Sequence, residues 1–422
     1  MAITKVSISN FKGIGGKTQF EIRPITIFLG ANSSGKSSAI HALMSLAQTL
    51  KLGNGAPSLV LDDEFAHVHL GRFIEIAHSH SYSDPIRIGI EISERKFRNT
   101  QKATLVGPVT ANYSFKSTLR TQEVYVDEAD ITISDTSYLV SRAKKRPYDF
   151  SATDLKTGYK FDANRRANFL FQFGPMVGQP TKGDEAEWFG RYWLFEAIQR
   201  EVEMELREIR YLGPFRQTPL RRYPIRSATA TEVGPQGDAT ITLLATEHVQ
   251  ARDKQHARQI NKWLTELGLA KTVELSRVGT SDLFDVSLTL ADGAKLPIAD
   301  LGYGLSQVLP VLTQCSFASK GSTLLFEQPE LHLHENAARK LAKVFVDTAV
   351  AKGANIVLET HSKELIYDVM SQVKAGTLSV NDLAIYKVRR EAGASTYTKV
   401  PIVIEDGSVE VLEDWSKTLT HD

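Results

Sequence analysis

Residues Gly30-Ala-Asn-Ser-Ser-Gly35-Lys36-Ser37 form an uninterrupted GxxxxGK[ST] string between an apolar pentapeptide and a helical pattern. Ile25, Thr26, Ile27, Phe28 and Leu29 make a run of strand length, suited to a parallel strand buried on both faces. From Ser38 on, Ile40, Leu43, Met44, Ala47 and Leu50 recur at helical spacing. Strand, glycine-bounded loop and helix, in that order, are what a phosphate cradle requires. Gly30 and Gly35 permit the backbone angles that wrap N–H groups around phosphates, and Asn32, Ser33, Ser34 and Ser38 complete the loop. Lys36 supplies a point charge for the β and γ phosphates, and Ser37 offers its hydroxyl to Mg²⁺. ATP with Mg²⁺ is the cofactor this string predicts.

Such a loop needs an acidic strand end to hold the metal and place water. Thr323-Leu-Leu-Phe326 runs into Glu327-Gln328-Pro329-Glu330, so Glu327 is the candidate metal-side carboxylate beside Ser37. Ile356-Val-Leu358 ends in Glu359-Thr360-His361, which puts a histidine at the tip of a second apolar strand. Asp300-Leu-Gly302-Tyr-Gly304-Leu-Ser306-Gln307 is a short Gly-rich segment before an apolar helix, suited to meeting phosphate through Gly302, Gly304 and Ser306.

In this order the pieces resemble the ABC-type ATPase heads of the SMC and RecF group, and more closely the OLD-like ATPases of bacterial anti-phage systems. Ser9-Asn10-Phe11-Lys12-Gly13 is similar to the opening strand and turn of that group. Gly30 to Ser38 resembles its Walker A loop, and Leu301 to Gln307 its signature segment. Glu327 to His334 resembles its Walker B and D-loop, and Thr360-His361 its switch histidine. The resemblance implies an α/β fold: an ABC-type P-loop ATPase head with a β-rich lateral insertion. It also implies that two heads pair face to face, each ATP lying between Lys36 of one chain and the signature segment of the other. A homodimer or higher homo-oligomer is therefore expected.

Four departures bear on activity. Where the family carries a water-orienting glutamate after the Walker B acid, this chain has Gln328, a very poor proton acceptor. Glu330 is the alternative base. The signature serine position is taken by Gly302, with Ser306 nearby, and no Q-loop glutamine follows the first helix; Leu70-Gly71-Arg72-Phe73 stands where one would be sought. Slow hydrolysis is the expectation, with Gln328, His361 and Glu330 as the catalytic set. Only about 60 residues follow His361, too few for the Toprim nuclease domain that many OLD relatives carry. An effector is therefore expected on a separate chain, as in PARIS-type and Septu-type systems. A RecF-like DNA-repair or chromosome-maintenance ATPase is the alternative.

The rest of the chain divides by pattern. Residues 1–84 read as the first part of the head, 85–185 as a β-rich insertion lobe, 186–240 as a long helix with an Arg/Pro-rich connector, and 241–422 as the second part. Ile86, Ile88, Ile90 and Ile92 alternate strictly, as do Ala129, Ile131 and Ile133, the period of half-buried antiparallel strands. Trp188, Tyr192, Phe195, Ile198, Val202, Leu206 and Ile209 follow one helical stripe. Asp292-Gly293 predicts a hairpin turn.

Charge and cysteine content exclude more than they assign. Lys plus Arg is 50 and Asp plus Glu is 49, a net charge of +1, so overall charge gives no argument for nucleic acid and DNA binding stays open. Arg216, Arg221, Arg222 and Arg226 form a local basic cluster that fits nucleic acid, an acidic partner or an ion-paired surface alike. Lys144, Lys145 and Arg146 read as an exposed loop, and Thr181-Lys-Gly-Asp184 lacks the asparagine of a guanine-reading motif. His332 and His334 lack further ligands at zinc spacing. Cys315, the single cysteine, reads as a buried small hydrophobe. No disulfide framework, no signal pattern in MAITKVSISN and no apolar run near the roughly 18 residues of a membrane span together predict a soluble cytoplasmic protein.

Overall fold

The structure, a computed structural model, describes residues 3–52, 57–98, 104–142, 149–165, 168–173, 185–224, 230–405 and 408–411. Lys144 to Arg146, Thr181 to Asp184 and Arg226 lie outside them. The chain opens with β1 (Ile3–Ser9), β2 (Thr18–Glu21) and β3 (Ile25–Leu29), followed by α1 (Lys36–Lys51) and the short α2 (Phe73–Ile76). Seven strands follow: β4 (Ile86–Arg98), β5 (Thr104–Ser117), β6 (Val124–Ile133), β7 (Thr136–Arg142), β8 (Asp149–Asp154), β9 (Lys160–Arg165) and β10 (Phe171–Phe173). Then come α3 (Glu185–Arg207), β11 (Ile209–Leu212), β12 (Arg222–Pro224), α4 (Thr240–Gln250), α5 (Gln255–Leu267), β13 (Thr272–Arg277), β14 (Leu283–Thr289) and β15 (Lys295–Pro297). The last stretch alternates again: α6 (Tyr303–Ser316), β16 (Thr323–Glu327), α7 (Glu335–Lys352), β17 (Asn355–Thr360) and α8 (Lys363–Lys374). The strands β18 (Leu383–Glu391), β19 (Ala394–Lys399), β20 (Ile402–Glu405) and β21 (Ser408–Val411) close it.

These elements fall into two compact units that do not follow the chain in blocks. The first comprises residues 1–22, 33–209 and 389–397; the second comprises 23–32, 210–388 and 398–422. The chain thus passes from one unit to the other inside the phosphate loop, between Asn32 and Ser33.

The first unit is built on a nine-stranded antiparallel sheet in the order β10-β9-β8-β7-β6-β5-β4-β1-β2. The alternating strands after residue 85 continue the sheet begun by β2 and β1. The reason is visible in the register: Val6 stands opposite Ile90 and Ile8 opposite Ile88, so the isoleucine alternation of β4 meets the apolar face of β1. One sheet face is buried by Tyr113, Phe115, Tyr138 and Phe169. The inward stripe of α3 lies there, with Phe195 in edge contact with Tyr138 at 5.2 Å and the Tyr138 hydroxyl donating to the Arg191 carbonyl at 2.9 Å. Ile209, the expected end of that stripe, belongs to β11. Buried Arg95 of β4 reaches two α3 carboxylates, Glu201 at 2.8 Å and Glu205 at 2.5 Å. On α1, the buried Gln48 side chain donates to the carbonyls of Val60 and Val68 and accepts from the amides of His67 and Val68, pinning the loop that follows. Beyond it, where a Q-loop glutamine was sought, exposed Arg72 pairs with Glu75.

The second unit carries the six-stranded sheet ordered β11-β16-β17-β3-β18-β19. All five residues of β3 and of β16, and all six of β17, are buried, as two-sided parallel strands require. Its core joins Ile25, Ile27 and Leu29 to Leu324, Phe326, Ile356 and Leu358, with Leu341, Phe345 and Leu365 from the helices. A smaller antiparallel sheet, β12-β14-β13 with β15 paired to β14, adds Val273, Val286 and Leu288 to the same core. The turn between β14 and β15 is the expected one at Asp292-Gly293, with Gly293 at φ 90°. Among the described residues no helix is long and apolar enough to cross a membrane.

Candidate functional site

Three strands of the second unit end together. β3 and β17 are parallel with Leu29 beside Thr360, and β17 and β16 are parallel with Glu359 beside Glu327. Gly30, His361 and Gln328 therefore leave the sheet along one edge. On the other flank of β3, the buried Lys387 of β18 stands beside Leu29.

Glu327 is buried, and one of its carboxylate oxygens accepts from the Tyr211 hydroxyl at 2.8 Å. Burial, reinforced by the Glu327 charge, pushes the Tyr211 phenol far above the ordinary range, so it stays a donor. Gln328 continues the ladder, its amide donating to the Glu359 carbonyl at 2.8 Å, then turns with φ 44°. A left-handed glutamine is strained unless its surroundings fix it. The fixing group is Arg216, a buried residue whose guanidinium donates to the carbonyls of Glu327 and Gln328, both at 3.1 Å. Burial pulls that guanidinium down to about 10, against the opposing pull of Glu330, Tyr211 and Glu327, so it remains charged at neutral pH. Arg216 is thus a support of the Glu327-Gln328 strand end and no part of a surface cluster. Its expected companions are exposed and ion-paired: Arg221 with Asp300 at 2.6 Å, Arg222 with Asp285 at 3.4 Å.

Glu330 is buried, and one of its oxygens accepts from the Thr360 hydroxyl; the other has no hydrogen-bond partner. Thr360 in turn accepts from the Ser362 amide at 2.9 Å. The turn carrying Glu330 and the turn carrying His361 are therefore tied through one threonine, while His361 itself is exposed. Of the three expected catalytic residues, Gln328 is half-buried at the strand end, His361 faces solvent, and Glu330 is buried with one oxygen on Thr360 and the other unpartnered.

The signature-like segment opens α6, with Gly302 exposed as its N-cap. Gly304 has no room for a side chain: a Cβ there would stand 2.7 Å from the His332 carbonyl. The segment thus packs on the loop after Glu330, where exposed Tyr303 and His332 face each other at 6.1 Å. Ser306 is buried and gives its hydroxyl to the Tyr303 carbonyl at 2.9 Å. His334 caps α7 by accepting from the Asn336 amide. No group of three or more metal-binding side chains occurs among the described residues.

The remainder of the phosphate loop belongs to the first unit. Ser33 has φ 61° and Gly35 φ 102°, the left-handed angles that turn successive N–H groups to one side. Lys36 is buried, Ser37 half-buried, and the Ser38 amide closes on the Gly35 carbonyl at 3.0 Å. The Ser34 hydroxyl is buried without a partner. An orphaned hydroxyl beside a buried ammonium in a left-handed loop fits a polyphosphate.

Residues 1–168 match the family model described as an AAA ATPase domain, and residues 247–366 match the one described as AAA domain, putative AbiEii toxin, Type IV TA system. Both models describe AAA-type domains, and neither spans half of the chain. Solved structures similar to this chain include the SMC head domain from Thermotoga maritima, 12% identical over 95% of this chain and 100% of that one, with a TM-score of 0.41. An SmcHead bound to the C-winged helix domain of ScpA is 12% identical over 99% and 100% of the two chains, at 0.48. A Pyrococcus furiosus Smc head with an extended coiled coil, bound to the C-terminal domain of ScpA, is 10% identical over 94% and 96%, at 0.47. No curated protein matches the ATPase head in sequence.

Sequence reasoning missed the supports of the ATPase head. Tyr211 carries no motif signal, and Arg216 appears in the sequence as one arginine among several. Ser395 and Tyr397, whose hydroxyls reach the phosphate loop, lie far from every motif.

Proposed function

We propose that this ATPase head is a nucleotide-gated sensor or scaffold of an anti-phage defence system. ATP with Mg²⁺ binds the loop from Gly30 to Ser38, two heads pair through the bound nucleotides, hydrolysis is slow, and a separate chain supplies the effector. In this reading Lys36 meets the phosphates, Ser37 and Glu327 hold Mg²⁺, Gln328 positions water, and His361 responds to the γ-phosphate. Gly302, Gly304 and Ser306 belong to the segment that faces the partner's nucleotide. The observation that carries the reading is the shared sheet edge: the glycine-bounded loop leaves β3 where Thr360-His361 and Glu327-Gln328 leave the neighbouring strands. Glutamine at the water-facing position supports slow turnover. The family model matched by residues 247–366, with its description as a Type IV TA system toxin, supports a role in a multi-component defence module.

Lys36→Ala is expected to abolish nucleotide-dependent assembly, followed by light scattering of the full chain with and without ATP and Mg²⁺. Unchanged ATP binding and assembly would sink the reading. Affinity capture of the native protein followed by mass spectrometry separates the two functional classes. A defence scaffold brings down a second protein and a large DNA-free oligomer, whereas a RecF-like repair ATPase binds duplex DNA with steep salt dependence.

A further inference from the structure

The phosphate loop is held from behind by a hairpin strand near the other end of the sequence. The Ser395 hydroxyl donates to the Ser34 carbonyl at 2.7 Å, and the Tyr397 hydroxyl donates to the Gly35 carbonyl at 2.6 Å. Both residues belong to the first unit, as do Ser34 and Gly35. Ser395 is buried, and its amide donates to the Gly13 carbonyl at 2.7 Å. Its hydroxyl fills a notch made by two missing side chains, since a Cβ on Gly13 or on Gly35 would stand 2.2 Å from it. The Tyr397 ring is fixed in turn by edge contact with Phe20 at 4.8 Å.

The consequence follows from peptide planarity. The Ser34 carbonyl and the Gly35 N–H belong to one planar trans unit and point in opposite directions; the Gly35 carbonyl and the Lys36 N–H belong to the next. Holding the two oxygens on the hairpin side fixes the two N–H groups toward the other side, where a phosphate nest needs them. We propose that Ser395 and Tyr397 are positioning residues for the phosphate loop and set its affinity for nucleotide through these two carbonyls. The inference rests on the ATP-binding reading above and adds two residues that no motif contains.

Calorimetric titration of the full chain with ATP and Mg²⁺ tests it. Tyr397→Phe and Ser395→Ala are each expected to raise the Kd about three- to tenfold, the loss of one hydrogen bond, while the melting midpoint without nucleotide moves little. Gly13→Ala, which pushes Ser395 off the loop, is expected to weaken binding as well. The pair Gly13→Ala with Ser395→Gly is expected to bind no worse than Ser395→Gly alone, because the added methyl then has room. A general loss of fold does not produce that pattern. If wild type binds ATP and both hydroxyl variants bind within about twofold of it, or if the Gly13 and Ser395 effects simply add, the positioning role fails. Wild type failing to bind ATP overturns the phosphate-loop reading itself, and this role with it.

Discussion

Gln328 is where one side chain decides most. Its backbone is set by the Glu359 carbonyl, by the left-handed turn and by Arg216, so the side chain at this position can change with little disturbance of the support. Gln328→Glu replaces a poor proton acceptor by a carboxylate. It is expected to raise kcat by about tenfold or more, a modest share of what a well-placed base contributes; phosphate release no faster than wild type removes the handicapped-base account. Arg216→Met tests the support instead. It removes two charge-assisted hydrogen bonds to the strand end, although the Gln328 carbonyl keeps the Leu331 amide at 3.1 Å, and is expected to cost about 2–4 kcal/mol, read from denaturant unfolding. An unchanged unfolding midpoint shows that the guanidinium holds nothing. The loop residues were legible because their chemistry is contiguous: within eight consecutive positions the four that matter are Gly30, Gly35, Lys36 and Ser37. Arg216 was not, because the carbonyls it serves lie more than a hundred residues away and nothing in its own neighbourhood marks it as buried.

At the level of elements, alternation was a sound guide to strand faces and a poor one to strand partners. Ile86, Ile88 and Ile90 are buried, as their period requires, yet the period does not reveal that they lie along β1. A strand's face is local information; its neighbour is chosen by register with distant residues. The covered face of the nine-stranded sheet has a measurable titration behaviour. Burial raises the Tyr113 and Tyr138 phenols well above their ordinary value of 10.0. The unfolded chain therefore ionises first as pH climbs. The stability tied to these phenols is fully present below about pH 10 and lost above it, at up to about 1.4 kcal/mol per unit for each phenol. The melting temperature is expected to fall above about pH 10, less steeply in Tyr138→Phe. Tyrosinate absorbance from both rings is expected to appear only as the chain unfolds; full titration in the folded protein contradicts their burial.

For the whole molecule, each of the two compact units is assembled from segments far apart in the chain. β3 sits between β17 and β18, residues encoded more than 300 positions later. A chain cut after residue 382 lacks β18, Ser395 and Tyr397, and is expected to show no ATP binding by calorimetry even though the entire GxxxxGK[ST] string is present. Retained affinity in that fragment means the loop is self-sufficient.

The position of β3 also sets a timetable. On a ribosome moving at about 5–20 residues per second, the strand that leads into the phosphate loop emerges roughly 20–70 seconds before the strand that completes its far side. Throughout that interval an apolar pentapeptide waits without its two neighbouring strands. A chain that stops before β18 therefore never completes the parallel sheet around β3.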